Sequence, residues 1–426
     1  MRQALAVVLG KIALFLTRLR GGGSAFPGFV ALRVAPKLLT RAFDKVPHGV
    51  VFVLGSNGKS TTTHMISELF RAHGLSVFTN PTGANLPQGV ASSLLPQVGI
   101  SGIVRSDVAV LEVDEAYAEE LAKTLHPRFV LGLNTQVDQL YRFFETERVG
   151  KMMLDAMALA TVAAIGNADD PFLSTIDTVV SQNASSPKVV YFGVTPEVAE
   201  KAPNGLLNAK NFAEDESTKA STERSRFVEV SAYSAEKTTL RTEATTFDIS
   251  LPAAGLHYAI DAAAAVATAR SLLGEKWSAG TTASAFAAMK PAYGRGEVLP
   301  FGETDVQFVM FKNLASLQLN LDSLSAPGPI MLAIDEGTPD MSWIYDIGFD
   351  NLPRVEVITG DKAWQMATCL AMKGVSIGSV EPDVSKAVDH MRTLITPGMR
   401  QTWIVNYEVT MIARRLIGFG ELETQS

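Results

Sequence analysis

"GSNGKSTTT" occupies residues 55–63, directly after the apolar run Val50-Val51-Phe52-Val53-Leu54. A short apolar, β-branched run that stops at a glycine reads as a buried strand, and Ser60–Ala72 behind the loop reads as a helix. Strand, glycine-rich loop and helix in that order make a phosphate-binding loop. Backbone N–H groups and a helix N-terminus then converge on one point. Gly55 and Gly58 let the chain come close to a phosphate, Lys59 adds a point charge, and Ser60 offers a hydroxyl to Mg²⁺. Ser56, Asn57 and Thr61 complete the loop expected to hold the phosphates. A chance glycine-rich turn is the alternative, and it would need neither the lysine nor the hydroxyl. The spacing is unusual: only two residues separate the glycines, where the common loop has four.

Working outward, short apolar runs alternate with helical stretches at Ser76–Thr79, Asp107–Val113, Arg128–Asn134, Thr161–Asn167 and Lys188–Val194. That alternation predicts a mostly parallel sheet wrapped by helices. The run Asp107–Val113 ends in acids, Glu112, Asp114 and Glu115. A carboxylate at the tip of a neighbouring strand can hold Mg²⁺, as Glu112 would with Ser60, but a solvated strand cap is the plainer reading, and only the family resemblance given below decides for the metal. From about residue 200 to 246 the chain turns polar, as in "NFAEDESTKASTERSR" at 211–226, and reads as an excursion with little to bury. Strand-like runs follow at Phe227–Tyr233 and Phe247–Leu251, then the alanine-rich helix "AGLHYAIDAAAAVATARSLLG" at 254–274. A second α/β pattern starts near Pro300, with strands expected at Asp305–Phe311, Pro329–Ile334, Val355–Thr359 and Thr402–Tyr407. Three parts are thus expected: an N-terminal helical segment (1–45), a nucleotide-binding domain (46–299) and a C-terminal α/β domain (300–426).

The whole chain narrows the function. A net charge of −7 argues against a general nucleic-acid binder. The one cysteine, Cys369, allows no internal disulfide and suits a reducing, cytoplasmic setting. It lies in "DKAWQMATCLAMKG" at 361–374 and reads as core. The histidines, at 48, 64, 73, 126, 257 and 390, have no ligand spacing, so no structural zinc is expected. The N-terminus, "MRQALAVVLGKIALFLTRLRGGGSAFPG", is broken by Lys11 and ends its apolar stretch at Arg18, too short to span a bilayer. It reads either as an amphipathic helix packed on the body, the simpler choice, or as a helix at a membrane surface. In the second case Arg2, Lys11, Arg18 and Arg20 would face lipid phosphates.

The short loop resembles the Gly-Thr-Asn-Gly-Lys-Thr-Thr loop of the Mur ligase superfamily, ATP-dependent carboxylate–amine ligases of peptidoglycan and folate metabolism. "GLHYAIDAAAAVA", "NADDP" at 167–171 and "GRGE" at 294–297 are similar to its helix, adenine-side and arginine motifs. Within the superfamily the chain is most similar to the MurT family of lipid II isoglutaminyl synthase subunits. "NPTGANLPQGV" at 80–90, "LEVDEA" at 111–116, "NTQVDQLYRFFE" at 134–145, "FKNLASLQ" at 311–318 and "DEGTPDMSWIYDIGF" at 335–349 carry that likeness in order. The resemblance implies a Mur ligase-type central P-loop domain with a C-terminal Rossmann-like α/β domain. It implies ATP and Mg²⁺ as cofactors, with Asn167, Asp170, His257 and Arg295 joining the loop in binding nucleotide, and Lys59 and Glu112 as catalytic groups. It further implies that the D-glutamate α-carboxyl of lipid II is activated as an acyl phosphate and amidated by ammonia from a GatD-like glutaminase. Asp340 would then complete that partner's Cys–His pair, with Asp335 and Asp346 as nearby rivals. Such an enzyme works in the cytoplasm, at the inner face of the membrane that carries its substrate.

The chain also departs from the pattern. Tyr258 and Asp261 stand where the family has Asn, Val137 where it has Arg, and Leu314 and Ser316 where it has Pro and Gly. The four-cysteine zinc ribbon of many relatives is missing, and the polar stretch takes its place. A stand-alone ligase on another carboxylate and a degenerate nucleotide-binding scaffold remain the alternatives.

Overall fold

The computed structural model of the chain describes residues 2–19, 25–80, 84–136, 146–181, 186–200, 202, 206, 226–234, 237–290, 295–324, 328–335 and 341–420. They divide into two compact units, the second made of 202–207, 252–257 and 290–426.

In the first unit the N-terminal helices are α1 (Arg2–Leu19), α2 (Phe26–Val34) and α3 (Leu38–Phe43). The α/β alternation then runs β1 (Val50–Leu54), α4 (Lys59–Ala72), β2 (Val77–Thr79), α5 (Pro87–Gln97), β3 (Val108–Glu112), α6 (Glu115–Leu125) and β4 (Phe129–Gly132). It continues through α7 (Thr146–Met157), β5 (Ala163–Asn167), α8 (Ile176–Val180), β6 (Lys188–Val194) and α9 (Pro196–Ala199). After β7 (Val228–Tyr233), β8 (Thr238–Thr242) and β9 (Thr246–Ile249) come α10 (Leu256–Leu273) and α11 (Ala279–Ala288). The nine strands lie in the order β2-β3-β1-β4-β5-β6-β7-β8-β9. Pairing is parallel from β2 to β7 and antiparallel from β7 to β9. Every residue of β1, β3, β4 and β5 is buried, as a sheet covered on both faces requires. β1 pairs with β3 on one side, Val53 opposite Glu112, and with β4 on the other, Leu54 opposite Gly132. That register brings the loop after β1, the acidic tip of β3 and the segment after β4 to one edge of the sheet, where open α/β sheets bind ligands.

The strand β8 corrects the reading of 200–246 as a polar excursion. Residues 201, 203–205, 207–225 and 235–236 lie outside the described residues, but β7, β8 and β9 form a three-stranded ladder. In "TTLRT" Thr238, Leu240 and Thr242 are buried, so the alternation of a half-buried strand is present with threonine serving as an inward residue. Counting threonine as polar hides it.

α1 packs on α2 and α5 through Ala6, Val7, Gly10 and Ala13, which are buried. A side chain on Gly10 would meet Leu95 at 2.8 Å and Ala31 at 3.1 Å, so small residues set the close approach of these helices.

The second unit has a six-stranded sheet in the order β10-β11-β15-β12-β13-β14. Its elements are β10 (Arg295–Phe301), β11 (Thr304–Phe311), α12 (Leu314–Asp322), β12 (Ile330–Ala333), β13 (Arg354–Thr359) and α13 (Ala363–Met372). β14 (Ser376–Val380), α14 (Val384–Thr393), β15 (Gln401–Asn406) and α15 (Tyr407–Leu416) complete it. Only β10 is antiparallel to its neighbour. Cores lie on both faces. One gathers Phe311, Leu332 and Ile358 with α13; the other centres on Trp403, whose ring meets Phe301 and Phe308 edge-on at 5.0 and 5.4 Å. The edge strands β10 and β14 were not expected from the sequence. "SIGSV" is partly exposed and holds glycine and serine, which mask a strand signal.

Candidate functional site

Gly58 adopts a left-handed conformation (φ 82°) and caps α4. A Cβ there would lie 2.5 Å from Asp261 Oδ1, so glycine is required by conformation and by space, and the α10 carboxylate sits directly against the loop. The chain thus enters α4 with its first-turn N–H groups facing the sheet edge, the arrangement that favours an anion.

Lys59 is 8% exposed. Its Nζ donates to Glu115 Oε1 at 2.6 Å and to the Gly55 carbonyl, while Glu115 Oε1 also accepts the Gly55 N–H at 3.3 Å. Glu115, the first residue of α6, therefore holds both the charge and the entry of the loop. The sequence shows it only as one of three acids at a strand tip. Its partner could have been anticipated from β3 lying beside β1, since residues three past that tip face the loop.

Ser60 Oγ donates to Glu112 Oε2 at 2.7 Å. The two groups assigned to Mg²⁺ are thus side by side. Asn80 fixes the Glu112 backbone by accepting its N–H and donating to its carbonyl, each at 2.9 Å. On the other flank Asn134 and Gln136 brace the loop. Asn134 Oδ1 accepts from Asn57 N at 3.0 Å, and its Nδ2 donates to Asn57 O at 3.1 Å. Asn57 Nδ2 donates to Gln136 Oε1 at 2.6 Å, and Ser56 Oγ donates to the Gln136 carbonyl and accepts its N–H. Neither bracing residue was singled out from the sequence. Polar residues directly behind the apolar strand β4 were the available signal.

Asn167 and Asp170 lie one strand further along. Asn167 donates to the Leu133 carbonyl at 2.9 Å and accepts the Asp169 N–H. Asp170 is fully buried; it accepts from Thr135 N at 2.6 Å, from Thr135 Oγ1, and from the N–H groups of Phe172 and Leu173. Burial pushes its carboxyl up to about 6, against these four hydrogen bonds that pull it down. Because this value lies above that of an unfolded aspartate, the group's contribution to stability falls as pH rises from about 4 through about 6. In the structure these two side chains tie residues 133–135 in place, and so position the segment that braces the loop. Asp169 is held by Arg226 at 2.6 Å, with burial raising its carboxyl. Thr61 is buried in the first turn of α4.

The other expected site residues belong to the second unit. His257 is the second residue of α10, and Arg295 opens β10. Asp340 lies outside the described residues. Of its rivals, Asp335 accepts from Asn406 Nδ2 at 2.7 Å, and Asp346 is exposed at the end of the short 3₁₀ turn Ser342–Asp346. Asn406 also donates to Glu408, whose carboxyl is raised by burial and by Asp335. Trp343 packs edge-on to Phe311 at 6.4 Å, whereas Tyr345, two residues on, is 45% exposed. Three residues per turn put the two rings on different faces. Cys369 is buried in α13, and burial pushes its thiol up.

The Lys59–Glu115 pair is testable by itself. In Glu115→Gln a buried ammonium faces a neutral amide, so the nucleotide-free protein is expected to lose about 2 kcal/mol of stability. A bound phosphate would restore the counter-charge. Mg-ATP should therefore raise the melting temperature of the variant more than that of the parent. A shift no larger than the parent's would remove Glu115 as the resting partner of Lys59.

Comparison with known proteins adds the following. The Mur ligase middle domain matches residues 53–269. The chain is similar to the MurT subunit of lipid II isoglutaminyl synthase (glutamine-hydrolyzing) of Staphylococcus aureus strain COL, with 24% identity over 91% of this chain and 92% of that one. The Streptococcus pneumoniae subunit of the same name is 25% identical over 84% and 83% of the two chains. Among solved structures, the MurF ligase of Thermotoga maritima in complex with ADP superposes with a TM-score of 0.65 at 17% identity. The match covers 93% of this chain and 85% of that one. The α/β fold with two mostly parallel sheets, expected from the sequence, is the fold these neighbours share.

Proposed function

Because the chain belongs to the Mur ligase family, we propose that it is an ATP-dependent carboxylate–amine ligase, and that it serves as the amidating subunit of a lipid II isoglutaminyl synthase. The observation that carries the first statement is the meeting of Lys59, Ser60 and Glu112 at the N-terminus of α4. The alignment with synthase subunits over 91% of the chain supports the second.

The donor set fits the expected cofactors. A hydroxyl and a carboxylate 2.7 Å apart are hard oxygen ligands suited to Mg²⁺, and an ammonium beside a helix N-terminus suits a phosphate. ATP, when bound, supplies the phosphoryl group that turns an unreactive carboxylate into an acyl phosphate. The residues of the chain do the rest. Lys59 leaves Glu115 for the phosphates and offsets their charge, and the α4 N–H groups orient them. Ser60 and Glu112 would hold the metal, while Asn134 and Gln136 keep the loop in shape. Asn167 and Asp170 shape the adenine side through the 133–135 segment, while the roles of His257 and Arg295 rest on the family resemblance alone. Residues 46–299 form the nucleotide-binding domain in this reading, and 300–426 present Asp340 to the partner.

That partner is a GatD-like glutaminase. The single cysteine of the chain, Cys369, is buried with its thiol raised, so this chain offers no thiolate for glutamine hydrolysis and takes ammonia from another subunit. The decisive experiment combines the chain with its glutaminase, ATP, glutamine and lipid II. Mass spectrometry should then detect conversion of a stem-peptide carboxylate to an amide. No conversion with either glutamine or free ammonia, while ATP still binds, would exclude lipid II as the substrate and leave a ligase for another carboxylate.

A further inference from the structure

α1 presents two opposite faces. Ala6, Val7, Gly10 and Ala13 pack inward. Leu5, Val8, Ile12, Phe15 and Leu19 recur at intervals of three and four on the outer face and are 53%, 41%, 51%, 63% and 69% exposed. Phe26 and Phe29 of α2, which packs along α1, are 54% and 53% exposed. Scattered exposed apolar residues are ordinary, but a continuous stripe on one helix with two phenylalanines from its neighbour marks a covered surface.

Charge identifies what covers it. The first 43 residues hold seven basic residues and no acidic one, whereas the remaining 383 hold 30 basic and 44 acidic residues. Helical spacing sets Arg2 on one border of the stripe and Lys11 and Arg18 on the other. Arg33, Lys37 and Arg41 lie exposed on α2, on the turn after it and on α3. An apolar strip bordered by cations, within an otherwise acidic protein, complements a surface that is oily inside and anionic at its rim. An anionic bilayer gives a reason for the exclusion of acids over all 43 residues, because each basic residue near its surface adds attraction and each acidic one would subtract it. No helix among the described residues is long and apolar enough to cross a membrane.

We propose that the outer face of α1, with Phe26 and Phe29, docks in plane on an anionic lipid bilayer. The inward face holds α1 on the body, so the nucleotide-binding unit is carried to the surface as a whole. The simpler sequence reading, a helix packed on the body, accounts for the inward face of this element.

The test needs neither nucleotide nor lipid II, so its failure is distinguishable from failure of the ligase reading. Full-length protein is sedimented with vesicles of phosphatidylcholine, with and without phosphatidylglycerol. Wild type should bind the anionic vesicles and release in high salt. Ile12→Glu/Phe15→Glu should weaken binding at least about 100-fold. Arg33→Gln/Lys37→Gln should weaken it about 5-fold for each charge removed. Both variants alter exposed side chains, and unchanged thermal unfolding and far-ultraviolet circular dichroism would show that they are folded. Wild type that stays in solution with both vesicle types, or a double-glutamate variant that binds like wild type, overturns the proposal. So does a wild-type dimer dispersed by the double-glutamate variant without any vesicle binding, which would make a second copy the occupant.

Discussion

Lys59→Ala should abolish ATP-dependent amidation, lowering turnover about 10³-fold or more, because in the proposed reaction it removes the ammonium that offsets charge on the transferring phosphoryl group. Lys59→Arg should not restore it: a planar fork cannot replace a compact ammonium in a pocket closed by the Gly55 carbonyl and Glu115. The fold should survive, but not without cost. A loop lysine looks exposed in the sequence, whereas this one is buried and ion-paired. Alanine leaves Glu115 without its partner, and a loss of about 1–3 kcal/mol in denaturant unfolding is expected. Glu115→Gln in the same background should recover part of that loss, since the stranded charge is then gone. Steady-state amidation within tenfold of the parent would refute the nucleotide-site assignment.

Asp340→Asn tests the other end of the proposed reaction. If Asp340 orients a histidine of the glutaminase across the subunit boundary, the amide presents the wrong partner to the imidazole and stabilises the wrong tautomer. Glutamine-dependent amidation should fall about 10³- to 10⁴-fold. Nucleotide binding and complex formation should be unchanged, and free ammonia should restore activity, since only its supply has been cut. Two readouts separate this role from its rivals. Lost ATP binding with no ammonia rescue would place Asp340 in the ligase site. Full activity with glutamine would shift attention to Asp335, held by Asn406, or to the exposed Asp346.

Local signals were enough for the strand β1, the loop and α4, because a buried parallel strand, two glycines and a lysine each leave a mark in adjacent residues. The strand β6 is found where its apolar run stands, Lys188–Val194. Glu112 was legible as a strand-tip acid. What escaped depends on contacts between distant segments. Glu115 and Gly55 are 60 residues apart, and Asn57 and Asn134 are 77 apart; neither pair follows from spacing. Asp261 drew notice only as a departure from the family, though its carboxylate abuts Gly58. β8 was hidden by its threonines, and β14 by glycine and serine at a sheet edge. The outward stripe of α1 was readable as amphipathy, but which face turned inward was not. Small residues on the buried side and large ones outside invert the usual expectation.

The position of the polar segment between β6 and β7 has an evolutionary consequence. These strands are parallel neighbours, Phe192 opposite Val228, so their connection must be a crossover and already starts and ends at fixed points. Lengthening a long connection is thermodynamically cheap: each doubling costs about 0.6 kcal/mol. In the sheet order β1-β4-β5-β6-β7 the two strands it joins are the third and fourth from β1, which leads into the loop of Lys59. Sequence inserted or lost there leaves the register of β1, β3 and β4 untouched. A lineage can therefore exchange a whole module at this point, or dispense with one, while its nucleotide chemistry is inherited unchanged.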